Sequence, residues 1–231
     1  MQEMMLARAK ALLQSGDVQR VLGWQTGEFV YDVTPAAFET AEELDAKFVY
    51  NDFCGSNLSK YLVKESRKEG RVLVFLKPCD TYSFNQLIKE HRIVRENIYV
   101  IGVPCAGKTD GETLKALGLK GILDVMDAGD SFTVETLYGE KTVSKQEALP
   151  ERCRSCKSHK HMVYDELLGE EGEVLDSHRF DMVEKLESMS ADERFAFWQG
   201  ELSRCIRCNA CRNVCPACTC EKCVFDNEHS G

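Results

Sequence analysis

A chain of 231 residues with 43% hydrophobic composition can bury one core of ordinary domain size and carry an appendage. Its formal charge of -9 speaks against a nucleic-acid surface, which needs clustered positive charge. The longest apolar runs, residues 72–76 and 99–103, are strand-sized and far short of the roughly 20 residues that cross a bilayer.

In chain order, residues 3–14 carry an amphipathic pattern that predicts a helix. This stretch has neither the continuous apolar run nor the small-residue cleavage site of a secretory leader, so a cytoplasmic location is expected. Apolar runs at residues 47–51, 71–77 and 97–103 then alternate with helix-like stretches at 56–70 and 81–94. This βαβαβ rhythm predicts an α/β domain, a parallel sheet with helices packed on it, whose functional groups gather at the carboxyl ends of the strands. Cys54, Cys79 and Cys105 each follow one of the three runs. Residues 121–143 read as short strands, with turns at 127–130 and 138–141, that extend or flank the sheet. The pattern breaks at 169–173, and a helix is expected over 191–203 with Ser190 as N-cap and Glu193 three residues on. The expected organisation is an α/β domain over 1–170 holding one cluster site, a helical linker over 171–204, and a ferredoxin-like iron–sulfur tail over 205–231.

Twelve cysteines stand out. A reducing cytosol keeps thiols free, so metal or redox work is expected of them rather than disulfides. The tail reads CIRCNACRNVCPACTCEKC. Cys205, Cys208, Cys211 and Cys215, followed by Pro216, reproduce the C-x₂-C-x₂-C-x₃-C-P run that wraps a 4Fe-4S cube in bacterial ferredoxins. Structural zinc in a Cys₄ site is the competing reading, although three consecutive ligands at x₂ spacing are unusual for zinc. Cys218, Cys220 and Cys223 lie close enough to call for a second metal. Arg207 and Arg212 sit among the ligands, either to offset cluster charge or as solvated arginines.

Cys153 and Cys156 form a two-ligand hook that needs partners. Cys79 and Cys105, emerging side by side from neighbouring parallel strands, would complete a further 4Fe-4S site. Two other readings remain open: zinc completed by His159 or His161, and Cys79 and Cys105 as inert buried thiols. Cys54 with the seven tail thiols makes eight, enough for two more clusters, or it is a packed core residue.

Residues 102–109 also match the phosphate-loop pattern, with Gly102, Gly107, Lys108 and Thr109 at the required spacing. Asp110 places negative charge next to Thr109, Gly111 is a poor first-turn residue, and no convincing later strand ends in a magnesium-holding Asp. ATP is therefore not expected as a ligand, and Lys108 and Thr109 are read as bystanders.

The motifs KPCDTYSFNQLI, NIYVIGVPC and CRSCKSHKHMVYDELLGE, in this order, resemble the β subunits of deazaflavin-dependent hydrogenases and formate dehydrogenases. The resemblance spans about residues 47–223 and is strongest to iron–sulfur members associated with heterodisulfide-reductase-like complexes. It implies Cys79, Cys105, Cys153 and Cys156 as ligands of one cluster and the tail as a second centre. It also implies FAD in those members that have hydrogenase partners. A further ferredoxin motif of longer relatives is missing here and is expected on another subunit. The resulting expectation is a non-catalytic electron-transfer subunit of an anaerobic oxidoreductase complex with two or three 4Fe-4S clusters. Its expected partner is a heterodisulfide-reductase-like flavoprotein, a hydrogenase or a formate dehydrogenase. The alternatives are an FAD-containing catalytic subunit acting on a deazaflavin-like hydride carrier, and a zinc-stabilised interaction module.

Overall fold

The structure, a computed structural model, describes residues 1–220 together with Cys223 and Asp226. Helix α1 (Gln2–Gln14) is followed by strands β1 (Arg20–Thr26) and β2 (Val33–Phe38) and helix α2 (Ala41–Lys47). A 3-10 turn at Leu58–Tyr61 runs into α3 (Leu62–Glu65), and then come β3 (Val72–Leu76), α4 (Pro78–Lys89) and β4 (Ile98–Gly102). Beyond them lie α5 (Gly111–Ala116), β5 (Ile122–Asp127), β6 (Ser131–Thr136), β7 (Gly139–Ser144), α6 (Glu151–Arg154) and β8 (Glu166–Leu167). The described chain closes with α7 (Asp181–Ser188), α8 (Ala191–Leu202) and α9 (Ala210–Val214).

Five strands form the main sheet in the order β2-β1-β3-β4-β8. β1, β3, β4 and β8 run parallel, and β2 pairs antiparallel at one edge. All five residues of β3 are buried, as a parallel strand covered on both faces requires. Met5, Ala9 and Leu12 of α1, Leu44 of α2, and Phe84 and Leu87 of α4 close over the sheet in one core. β5, β6 and β7 form a separate antiparallel meander with its own small core around Leu114, Val125, Phe132 and Val134; its first turn falls within the expected 127–130, and its second lies at 137–138, so that 139–141 of the expected turn belong to β7.

The predicted strand at 47–51 is not one. Thr40 caps α2 by accepting a hydrogen bond from the Glu43 N–H, and the helix-favouring run that follows carries the chain as helix through Lys47. Phe48 then makes a single bridge to Gln25, and the Val49 N–H donates to the Trp24 carbonyl. The strand position belongs to β1, whose edges are taken by β2 along its length and by β3 at Arg20–Leu22. Gly23 makes this packing feasible, because a Cβ there would lie 2.7 Å from the Phe48 ring. The predicted helix over 56–70 is also shorter than expected, reduced to the 3-10 turn and the single turn of α3.

α7 and α8 bury no residue, and α8 begins with the reciprocal cap read from the sequence: Glu193 N–H to Ser190 Oγ at 3.3 Å and Ser190 N–H to Glu193 Oε2 at 2.9 Å. Among the described residues no helix is long and apolar enough to cross a membrane.

The core prediction follows from β3. Phe75 is fully buried and packs against Phe48 with ring centroids 5.7 Å apart. Phe75→Ala is expected to cost about 3–5 kcal/mol of unfolding free energy, measured as a lower urea midpoint with an unchanged slope.

Candidate metal centre at the sheet edge

β3 and β4 pair in register, Leu76 opposite Gly102, and the Val103 N–H donates to the Leu76 carbonyl at 2.9 Å just past the strand ends. The chain therefore leaves both strands at one edge. After β3, Lys77 is the N-cap of α4 and Pro78 its first residue, a position where the missing proline N–H costs nothing. That places Cys79 in the first helical turn. After β4, Pro104 and Cys105 continue as loop.

The hook closes from another segment. Cys153 lies on α6 and Cys156 just beyond it, with the Cys156 N–H donating to the Cys153 carbonyl at 3.3 Å. The Cys156 thiol donates to the Ser158 carbonyl at 3.3 Å, and Ser158 bridges to Val174. The four thiols share one electrostatic neighbourhood. Burial is the main cause that raises the pKa of both Cys79 and Cys105; Cys105 and Cys156 add to it at Cys79, and Cys153 adds to it at Cys105. Cys79 is nevertheless exposed to solvent, so its thiol sits in a recess that is open yet surrounded by protein. Cys105, Cys153 and Cys156 are half-buried. Among the described residues no three His, Cys, Asp or Glu side chains stand at mutual metal-binding distance. The fold gathers these thiols without closing a coordination shell.

Two buried lysines border the thiols. Lys77, 2% exposed, pairs with Asp80 at 2.8 Å, donates to the Ser56 carbonyl at 2.9 Å and lies 4.5 Å over the Trp24 ring. Burial disfavours its charge, but Asp80 and then Cys79 outweigh that and hold its pKa up. Lys108 donates to the Asn51 carbonyl at 2.9 Å and lies 4.1 Å over the Tyr50 ring. Burial lowers its pKa, against the pull of Cys105 and Cys54. The sequence reads Lys108 as a bystander; the structure buries it, with its ammonium on the Asn51 carbonyl and the Tyr50 ring.

His161 is enclosed differently from the zinc alternative. Its ring nitrogens lie 2.9 Å from Glu171 Oε1 and 3.1 Å from the Val103 carbonyl oxygen, so neither is left for a metal. His159 is half-buried, with its N–H donated to the Glu173 carbonyl at 2.7 Å. Cys54 is fully buried in the main core, where its sulfur accepts the Asn51 N–H at 3.3 Å. It follows a loop after α2 rather than a sheet strand, and Lys108, Lys77 and Asp52 are the charged side chains acting on it.

The tail is placed through Cys220, with Cys223 and Asp226; the rest of the expected segment to residue 231 lies outside the described residues. Cys205, Cys208, Cys211 and Cys220 are exposed, and Cys215, Cys218 and Cys223 are half-buried. Arg207 and Asn209 adopt left-handed backbone at φ 57° and 60° on either side of Cys208, folding the spacer tightly before α9. The Arg207 N–H points at Cys205 Sγ from 3.4 Å. Arg212 pairs with Asp226 at 2.8 Å, and hydrogen bonds to Asp226 and Cys223 raise its pKa, so it is no idle solvated arginine. Lys60 and Arg92 donate to the carbonyls of Cys218 and Thr219 and fasten this loop to the domain.

A parallel-containing α/β sheet with thiols at its carboxyl edge and a thiol-rich tail is a donor set of soft ligands suited to iron–sulfur clusters or zinc rather than hard cations. Known relatives are more specific. The chain is 23% identical over 279 residues to the F420-dependent formate dehydrogenase subunit beta of Methanocaldococcus jannaschii, covering 95% of this chain and 73% of that protein. It is 23% identical over 282 residues to the F420-dependent formate dehydrogenase 1 subunit beta of Methanococcus maripaludis, with the same shares covered. A chain of the F420-reducing NiFe hydrogenase complex from Methanosarcina barkeri has the same fold, with a TM-score of 0.55 at 16% identity; the match covers 70% of this chain and 61% of that one. No protein-family model matches the sequence. The resemblance to deazaflavin-linked β subunits, read from the order of the cysteine motifs, thus holds over most of the chain.

The site makes the two metal readings separable. Cys156→Ser is expected to remove about four irons, one cube's worth, from the anaerobically purified chain, whereas His159→Ala leaves metal content unchanged. Loss of zinc in both variants would restore the mixed cysteine–histidine site.

Proposed function

We propose that this chain is an iron–sulfur electron-transfer subunit of a multi-subunit oxidoreductase. The single observation that carries the reading is the arrangement at one sheet edge: Cys79 and Cys105 follow paired strands, and the Cys153–Cys156 segment is tied beside them by Lys157 over the Tyr82 ring of α4 at 3.6 Å and by Arg152 paired with Asp110 at 2.9 Å. Four soft donors in a partly desolvated recess beside buried lysines suit an anionic, thiolate-held 4Fe-4S cluster. When bound, such a group takes up and releases single electrons without making or breaking bonds.

The chain's own residues supply the rest. Strand pairing fixes where the chain leaves the sheet toward Cys79 and Cys105, and the hook brings Cys153 on α6 and Cys156 just beyond it. Cys205, Cys208, Cys211 and Cys215 would hold a second cluster, and Cys218, Cys220 and Cys223 would contribute to a third, while Cys54, buried in the main core, fits the packed-residue reading. The organisation proposed is a 1–170 α/β domain with one cluster, a 171–204 helical linker and a 205–231 ferredoxin-like tail. The partners proposed are a formate dehydrogenase or hydrogenase subunit, by analogy with the relatives, or a heterodisulfide-reductase-like flavoprotein.

One observation favours a second reading, an FAD-containing subunit that exchanges hydride with a deazaflavin-like carrier. A cavity of about 520 Å³ is lined by Ala106, Gly107 and Lys108 of the loop after Cys105 together with Phe132 and Lys145, within the size range of cofactor sites. A flavin there would rest on the loop that follows Cys105.

Iron, acid-labile sulfide, zinc and flavin content of the anaerobically purified chain test both readings. About eight to twelve irons with matching sulfide are expected, corresponding to two or three cubes. Stoichiometric flavin would make the chain catalytic in its own right, and zinc without sulfide would overturn electron transfer.

A further inference from the structure

Lys108 is 7% exposed, and its ammonium has one hydrogen-bond acceptor, the Asn51 carbonyl, and one aromatic face, Tyr50. An ammonium has three donors, so this group is under-satisfied for its depth. The neighbouring charges are already engaged. Lys77 and Asp80 neutralise each other at 2.8 Å, and Asp52 is held by Lys145 at 2.9 Å. Among the described residues no carboxylate pairs with Lys108. A buried cation without a counter-ion is costly, and the structure retains it three residues after Cys105.

Its inward direction is built into the loop. Gly107 adopts φ +127°, and a Cβ there would stand 2.5 Å from Leu149 Cδ2, so only glycine fits. On the far side, the Thr109 N–H donates to the Asp52 carbonyl at 2.8 Å and Thr109 Oγ1 donates to the Ala148 carbonyl at 2.7 Å. Lys108 is thereby pinned between two fixed residues, with its stem turned away from solvent.

We propose that Lys108 is a positioning charge for the sheet-edge cluster: its ammonium lies over the ring of Tyr50, whose hydroxyl donates to the Pro104 carbonyl next to Cys105 at 3.2 Å, and from there it stabilises the more negative, reduced state. This inference rests on the cluster reading above. Each electron accepted from a donor subunit adds one negative charge to the thiolate-held group and leaves it again on oxidation; no proton or bond change is needed. A cation at fixed distance in a poorly solvated setting favours the extra charge. Lys77 cannot serve equally, because Asp80 cancels its charge locally.

The test is a redox titration of the full chain, purified anaerobically, followed by visible absorption and electron paramagnetic resonance with iron counted in every sample. Cys79→Ser identifies the reduction wave that belongs to the sheet edge, since that wave and its iron disappear. In Lys108→Met this wave is expected to move to lower potential by about tenfold in the reduction equilibrium, or about 59 mV for one electron, while tail waves stay in place. Lys108→Arg keeps the wave near its original potential. Lys108→Gln, which removes the charge but retains a donor for Asn51, is expected to move the wave as Lys108→Met does and serves if Lys108→Met loses iron. An unmoved wave in an iron-replete neutral variant overturns the role of Lys108 while the cluster reading stands. A Cys79→Ser chain that loses neither wave nor iron overturns the sheet-edge cluster, and the role of Lys108 falls with it.

Discussion

The parallel pairing of β3 with β4 is the constraint on which the site depends. Five consecutive register pairs, from Val72 with Ile98 to Leu76 with Gly102, leave no freedom in where the two strands end relative to each other. A slip of one residue would turn every side chain of a fully buried strand to the opposite face. The hydrophobic core therefore fixes the spacing of Cys79 and Cys105 indirectly, by fixing the strands that carry them. Catalytic and redox sites on sheets of this class gather at the carboxyl edge for this reason: helices cover the faces, and the edge is where backbone can open without exposing the core.

Charge is managed around that edge in two different ways. Lys77 and Asp80 form a closed unit: the Asp80 carboxylate accepts the Lys77 N–H at 3.2 Å and also meets its ammonium, both groups being 2% exposed. This unit caps α4 from inside and stiffens the turn that bears Cys79, as a fully satisfied buried pair can. Among the described residues Lys108 makes no ion pair; its ammonium rests on the Asn51 carbonyl and the Tyr50 ring, and burial lowers its pKa. One lysine is thus closed by a carboxylate and the other by a carbonyl and an aromatic face. Cys54 lies in the core, its sulfur turned to local backbone, which is the behaviour of a small apolar residue with a weak donor.

Much of this was legible in the sequence where the signal was local and continuous. The runs that became β3 and β4 are unbroken apolar stretches, and the proline before each cysteine marks the strand exit. The Ser190–Glu193 cap and the short strands of 121–143 were equally plain because turn and cap chemistry is written in neighbouring residues. β1 and β2 escaped notice because Gly23 interrupts one and Pro35 the other; proline is tolerated in a strand at the sheet edge, which only the tertiary pairing reveals. β8, at two residues, is too short to carry any periodicity. The enclosure of His161 depends on Glu171 and Val103, and a sequence showing His beside Cys-x₂-Cys gives no hint that both ring nitrogens are spent elsewhere.

The phosphate-loop pattern at 102–109 shows how identical letters are put to another use. A phosphate cradle needs free N–H groups at the start of the following helix and a lysine reaching outward. Here α5 is a short helix beginning at Gly111, and the Asp110 carboxylate already accepts the Thr113 N–H at 2.8 Å while pairing with Arg152 at 2.9 Å. Burial works against the Asp110 charge, yet bonds from Thr113 and Arg152 outweigh it and hold its pKa down, so the helix start already carries its own anion. Gly107, placed by the pattern to let backbone approach a ligand, instead admits Leu149, and Lys108 turns inward. The glycine–lysine–threonine spacing thus encodes a loop whose lysine rests on the Asn51 carbonyl and the Tyr50 ring and whose following helix already carries its own anionic cap.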